Sequence, residues 1–555
     1  MAGSHRAGRA QPERAGGAGR ATTRRDEAAT PDDDEPTPSA EGGTPAAGRG
    51  EESHVSRMAR GGGLNLVGAL VQQGSLFMVM AILAHGLGRA DVGRYSEMWS
   101  LLSLLGLLSL AGFRSGLTRF VAVFLAENDP SRVRGTIRLG MGITVVGSAV
   151  IAALLAIFAP AVADYFHDPG LVTAVRLTAL ILPATTFSDA ALAATQGWRS
   201  QRAFALIGRI LDPLSMLGLI GLSVLLIGNL TAALTALVFS SWSTATWSAV
   251  ALLRRVRTVP RARPIMEPQR IFSFSMISWL SALAATGLIW AGTIILGNLT
   301  DPASVGVFNV ATRLVNLAVF VMAPITTSFT PHMAHLHHVG ETDEAARAYG
   351  NATRWILFLS APAFIMLIVL PSQMLAFFGH DFRTGASVTM ILAAGQVIAA
   401  AAGPCGVVLN QSGRIVLSLV DNIGVLVLNV ALDFAIIPSH GIVGAAVAWS
   451  VSLIAVNITK LLQARYIVGV APIGARTIPT LLASVPAAAV AWVVRETITN
   501  AFFAVLVGGL AVLVVYVGAH LLIGLHPDDR ALLQRYLPRI VGRRRKGRPT
   551  PTRAS

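Results

Sequence analysis

The chain has 555 residues, 53% of them hydrophobic and only 13% charged, with a net charge of +15 and a mean hydropathy of +0.61. Soluble domains carry roughly a quarter charged residues, so this composition excludes an ordinary soluble globular protein. Lysine occurs only at Lys460 and Lys546. The arginine excess falls in loops and tails beside apolar runs, where membrane topology accounts for it and nucleic-acid binding is not implied.

Residues 1–61 are Gly, Ala, Arg, Pro and acid, with Asp32-Asp33-Asp34-Glu35 at their centre. They lack the apolar content to fold, and no basic start leads into an apolar core as in a signal peptide. A disordered cytoplasmic tail is expected. Apolar runs follow at 62–84, 96–117, 139–162, 171–194, 204–228, 230–253, 271–297, 303–330, 352–371, 386–409, 414–437, 442–463, 477–494 and 499–524. A helix of ~20 residues crosses a hydrocarbon core of about 30 Å. The fold class is therefore an all-α polytopic membrane protein with about 14 transmembrane helices.

Charge sets the orientation. With the N-terminus inside, the inward loops carry Arg132, Arg134, Arg138, Arg199, Arg202 and the cluster from Arg254 to Arg270. Later inward loops carry Arg347, Arg414, Lys460, Arg465 and Arg476, whereas the outward ones hold only Arg89, Arg94, Arg383 and Arg495. This is the positive-inside pattern, and it fits an even number of spans with both termini cytoplasmic. The longest inward loops, 118–138, 254–270 and 331–351, leave no room for an extramembrane catalytic domain, so an enzyme is not expected.

Two marks recur at one 213-residue step: Val92-Gly93 with Val305-Gly306, and His167-Asp168 with His380-Asp381. Such a repeat predicts two six-helix lobes in parallel, 62–257 and 268–466, followed by a helix pair at 474–524 and a basic cytoplasmic tail at 525–555. Parallel repeats occur in transporters that rock two halves about a central site.

No P-loop is present. His332, His335, His337 and His338 are placed in a cytoplasmic loop and read as exposed rather than as metal ligands. Cys405 is the only cysteine, which excludes an internal disulfide; it reads as a small buried core residue. The chemistry is expected from ionisable residues inside spans, each costing about 2.5–3.5 kcal/mol on insertion scales. Arg313 lies about ten residues into its span, roughly 15 Å deep, which favours a cavity. Arg209 and Asp212, just before Pro213, either pair with each other as i, i+3 neighbours or face a cavity. Arg114 and Arg119 either snorkel to the headgroups or face the same cavity. Asp189, Asp421 and Asp433 are the embedded acids, and Gln72 and Gln73 are further polar candidates. Guanidinium binds phosphate oxygens bidentately, so arginines in a cavity suit a diphosphate. A cation exporter calls for embedded carboxylates, and 62–84 has none.

Val92-Gly93-Arg94-Tyr95, the segment LGNLTDPASVGVFNVATR ending at Arg313, and Gly379 to Val470 with FGHDF, LNQSGR and IIPSHGIVGAAVAWSVS resemble one family. It is the polysaccharide transporter (Wzx-type flippase) family of the multidrug/oligosaccharidyl-lipid/polysaccharide exporter superfamily. The resemblance implies two lobes around a central cavity. It also implies transfer of a polyprenyl-diphosphate-linked oligosaccharide across the bacterial inner membrane. Arg313, and behind it Arg114 and Arg209, would then meet the diphosphate. No cofactor is implied beyond coupling to a sodium or proton gradient or to membrane potential. Partners would be the lipid-linked substrate, the bilayer, and the polymerase and glycosyltransferases of a surface-polysaccharide pathway. A peptidoglycan-precursor flippase and a multidrug exporter of the same superfamily are the alternatives.

Overall fold

The computed structural model describes residues 48–470 and 478–523. Among them the regular elements are all helices, without strands. The chain divides at Val55, and the main compact unit begins at Ser56. The first half contains α1 (Gly48–Leu110), α2 (Phe113–Ala126), α3 (Pro130–Ile157), α4 (Ala159–Tyr165) and α5 (Leu171–Gln196). A π-helical segment, Phe204–Leu211, leads into α6 (Asp212–Leu226), followed by α7 (Leu230–Val256). The second half contains α8 (Pro268–Leu299), α9 (Pro302–Val319), α10 (Ala323–Val339), α11 (Thr342–Val369), α12 (Pro371–Leu375) and α13 (Ala386–Ala402). It continues through α14 (Cys405–Gln411), α15 (Ile415–Gln463), α16 (Ile478–Thr497) and α17 (Ala501–Ile523).

Among the described residues twelve helical segments are long and apolar enough to cross a membrane, rather than the fourteen separate runs expected. The difference lies in two helices. Asn65–Leu110 has 46 residues and Val416–Val468 has 53, each more than twice the ~20 residues one crossing needs. The first is broken at Gly88 (φ 79°, ψ 178°) and the second at Gly441 (φ 53°, ψ −132°). Both breaks fall where the sequence shows a short polar gap, so the gaps are kinks rather than loops. The apolar side chains exposed on the surface agree with a lipid surround: on α17 alone Leu506, Leu510, Val514 and Leu522 are exposed, a patch too large for a soluble monomer.

Hydropathy finds only the apolar part of a helix, so it misses polar turns beyond the membrane. The expected loops 118–138 and 331–351 are mostly helix. Asp129 caps α3 by accepting from the Arg132 amide at 3.0 Å, with Pro130 in the first turn. That cap starts α3 well before the apolar run at 139. His332, His335, His337 and His338 are accordingly on α10, not in a loop; all four are exposed. The expected tail 1–61 lies outside the described residues up to 47, and α1 already begins at Gly48. The tail at 525–555 also lies outside them.

The same cap recurs at α9. Asp301 accepts from the Ser304 amide at 3.0 Å and from its hydroxyl at 2.6 Å, with Pro302 next. Partial burial opposes the charge, but the Ser304 donors outweigh it and hold the carboxyl below its ordinary value. Asp301→Ala is expected to cost about 1 kcal/mol, read as a lower melting temperature of the purified protein. A depressed folded value means the contribution is present above the ordinary carboxylate range. It is lost as pH falls through the lowered value, so the gap between the two proteins should close in acid.

The largest core cluster joins α1, α5, α6, α7, α8, α9, α11, α13 and α15 around residues such as Val92, Leu171, Leu296 and Val305. The final pair packs on α11 through Ala483, Ala487 and Ala491 of α16 and Ala504 and Val512 of α17, all fully buried. Small residues at every fourth position let membrane helices approach closely.

The two copies of the repeated Val-Gly mark touch. A Cβ at Gly93 would overlap the carbonyl oxygen of Pro302 and lie 3.0 Å from the Gly306 amide nitrogen. One at Gly306 would overlap the carbonyl of Arg89. The backbones of the two marks are thus in van der Waals contact, which only glycine permits. Around them Asn298 donates to the Tyr165 carbonyl. The repeated aspartates differ: Asp168 bonds Arg94 at 2.7 Å, whereas Asp381 reaches Arg89 at 4.0 Å.

Candidate substrate cavity

A cavity of about 540 Å³ opens among α1, α2, α5, the π-helical segment, α6 and α7, with Thr286 of α8 at its edge. Its polar lining comes from Gln72, Arg114, Asp189, Arg209 and Asp212, together with hydroxyls of Ser103, Thr185, Thr186, Ser188, Ser241 and Thr244. Three of the four residues predicted to bind substrate, Arg114, Arg209 and Asp212, therefore meet in one place. Gln72 joins them, while Gln73 is not part of this lining.

Local structure explains the convergence. Pro183 interrupts the hydrogen-bonding of α5 one turn before its hydroxyl-rich stretch. Thr186 and Ser188 satisfy their own hydroxyls on the Leu182 and Ala184 carbonyls at 2.8 Å, as buried hydroxyls on membrane helices do. The π-helical turns change the angular step along 204–211, so Arg209 and Asp212 do not form the i, i+3 pair considered from sequence. Arg209 instead donates to the Asn65 carbonyl at 3.3 Å and lies 5.2 Å from the Phe204 ring centroid. Asp212 accepts from the Thr244 hydroxyl at 2.8 Å. Segments of π-helix are rare and frequently mark functional sites.

Arg313 is elsewhere. It lies on α9, two turns beyond Gly306 and half-buried. The buried Tyr95 hydroxyl has no hydrogen-bond partner among the described residues. Arg119 is not in the cavity lining; its guanidinium lies 4.1 Å from the Phe274 ring centroid.

Sequence reading missed Glu97. It is 1% exposed, neither oxygen has a hydrogen-bond partner among the described residues, and a Cβ at Gly297 of α8 would lie 2.8 Å from Oε1. It stands at the very start of an apolar run, where a carboxylate reads as a solvated flank. Asp433 is fully buried against Gly292, and its oxygens likewise lack donors among the described residues. Asp421 accepts from Gln463 at 2.8 Å, and Lys460 donates to Asn422 at 2.8 Å. No group of three or more His, Cys, Asp or Glu suited to a metal ion occurs among the described residues.

The bundle and its charged, hydroxyl-lined cavity belong to a multi-pass helical membrane protein. Solved structures share its fold. The lipid II flippase MurJ in an inward closed conformation superposes with a TM-score of 0.65 at 13% identity, covering 86% of this chain and 100% of that one. A multidrug resistance MATE family transporter of the MOP superfamily, inward-facing, gives 0.59 at 15% identity over 73% and 98%. The family model described as polysaccharide biosynthesis protein matches residues 58–337, and the MatE model matches 278–435. The chain belongs to the polysaccharide biosynthesis protein family. Two relatives from Haloferax volcanii bear the names "Probable low-salt glycan biosynthesis flippase Agl15" and "Probable flippase AglR". The first is 25% identical over 219 residues, 39% of this chain and 45% of the relative. The second is 24% identical over 218 residues, 38% and 44%. The chain thus spans just under half the length of each.

Proposed function

We propose that this protein is a flippase that moves a polyprenyl-diphosphate-linked oligosaccharide across the bacterial inner membrane for surface-polysaccharide synthesis. The observation that carries the reading is the cavity in which Arg114 and Arg209 stand free of any carboxylate partner among the described residues. Unpaired guanidinium groups in a membrane interior are costly and offer bidentate binding to phosphate. The family and its relatives' names support the same direction.

In this reading the lobes are 62–257 and 268–466, the two kinked helices each count as two spans, and both termini are cytoplasmic. The lobes alternate access, with the lipid tail remaining in the bilayer while the charged head enters the cavity. Arg313, outside the cavity, serves as the second lobe's cation for the same diphosphate. Coupling to a sodium or proton gradient supplies the driving force, and polymerase and glycosyltransferases act on either side of the step.

The test is leaflet transfer in proteoliposomes of a short-chain polyprenyl-diphosphate glycan, read by a membrane-impermeant sugar-oxidising reagent. Arg114→Ala with Arg209→Ala is expected to reduce transfer at least about tenfold, the loss of one charge-assisted bidentate contact being 1.5–3 kcal/mol. Unchanged transfer would remove the arginines from the mechanism. Transport of a lipophilic cation in place of the glycan would favour a drug exporter.

A further inference from the structure

The cavity is not simply cationic. Asp189 and Asp212 line it beside Arg114 and Arg209, and among the described residues no ion pair joins any of the four. Opposite charges that share a poorly solvated space usually pair, because uncompensated charge there is costly. All four therefore reach the cavity unpaired, an arrangement suited to a ligand that brings both an anionic end and hydrogen-bond donors.

The two carboxylates share the cavity with further parts. Thr244 fixes one oxygen of Asp212 at 2.8 Å and leaves the other to accept. Trp99 lines the same space, its ring braced by stacking on Tyr95 at 6.1 Å and 22°. An aromatic plate lining one cavity with carboxylates that accept from adjacent hydroxyls is the chemistry that holds a sugar ring. A sugar carboxylate in this place would be a third anion next to two others, and like-charge juxtaposition is a strong means of rejection.

We propose that Asp189 and Asp212 read the sugar attached to the diphosphate, and that they select a neutral or amino-bearing ring over an acidic one. This rests on the flippase reading, because the arginines must hold the diphosphate for the attached sugar to reach the aspartates.

The experiment is equilibrium binding to the full chain in nanodiscs of three probes: farnesyl diphosphate, its glucosyl ester and its glucuronosyl ester. The glucosyl ester is expected to bind at least about tenfold more tightly than the glucuronosyl ester. In the Asp189→Asn, Asp212→Asn chain that ratio should fall towards one, with the glucuronosyl ester gaining affinity in absolute terms. Using the ratio cancels any general loss of affinity. Asparagine keeps the side-chain shape and can still accept from Thr244; should the double variant not fold, Asp189→Asn alone is expected to lower the ratio. Equal binding of the two esters to the unmodified chain, or a ratio untouched by the substitutions, overturns the inference alone. Failure of all three probes to bind overturns the flippase reading with it.

Discussion

Gly93→Ala is expected to cut lipid transfer between about 5- and 150-fold while leaving the amount of folded protein in the membrane close to normal. The added methyl would overlap the Pro302 carbonyl and press on the Gly306 amide, both backbone atoms that no rotamer change can move aside. Overpacking of a close contact costs about 1–3 kcal/mol, and a two-state equilibrium shifts by that many-fold when one state bears the cost. The cost falls only on the arrangement in which Gly93 and Gly306 touch. A bundle that must separate and rejoin this seam in each cycle would be held apart. Gly306→Ala meets the Arg89 carbonyl across the same seam and should act alike. Because the two changes relieve each other once the seam is open, the double variant should be no worse than the more severe single one. Proteoliposome transfer rates, normalised to protein recovered by size-exclusion chromatography, decide the matter. Wild-type rates in Gly93→Ala would mean that the seam is static.

Gly403→Ala should prevent accumulation of folded protein altogether. Gly403 links α13 to α14 at φ 66° and ψ −162°, a region that is essentially glycine's alone and costs other residues about 1–3 kcal/mol. A Cβ there would also overlap the Thr353 hydroxyl, a fully buried group that donates to the Tyr349 carbonyl at 2.9 Å. Tyr349 in turn donates to the Ala402 carbonyl at 2.7 Å, so the methyl strikes the middle of a closed circuit. The two penalties together reach about 2–6 kcal/mol, comparable with the whole stability of many domains. Measured melting curves and membrane yield should both collapse. A variant with wild-type melting would show that the circuit can open cheaply.

Much of this architecture was legible because lipid leaves so few options. Apolar runs of ~20 residues must be helices. The repeated Val92-Gly93 and Val305-Gly306 dipeptides could be matched by eye, but their contact could not. Nothing in one strand of text says that two like marks lie back to back. Gly88 and Gly441 were visible as polar gaps, yet whether a gap is a loop or a kink depends on backbone angles. The π-helical stretch at Phe204–Leu211 leaves no compositional trace, so the expected Arg209–Asp212 pair rested on ordinary helical spacing. The cavity's hydroxyls escaped notice for another reason. Serine and threonine can return their hydrogen bonds to their own helix, so their presence in a span is unremarkable until a fold turns them to one side. Arg313 carried the strongest signal in the sequence, and the structure sets it apart from the other candidates.

Cys405 has a use that its packing supplies. It is the chain's sole thiol, 2% exposed, with its sulfur 3.6 Å from the Asn457 side-chain oxygen. A maleimide dye added to intact protein meets no accessible sulfhydryl, and the dye can reach it only when α14 and α15 part. The molecule therefore carries a built-in reporter of its own unfolding, one that requires no engineered label and gives each of the variants above a fluorescent readout of integrity.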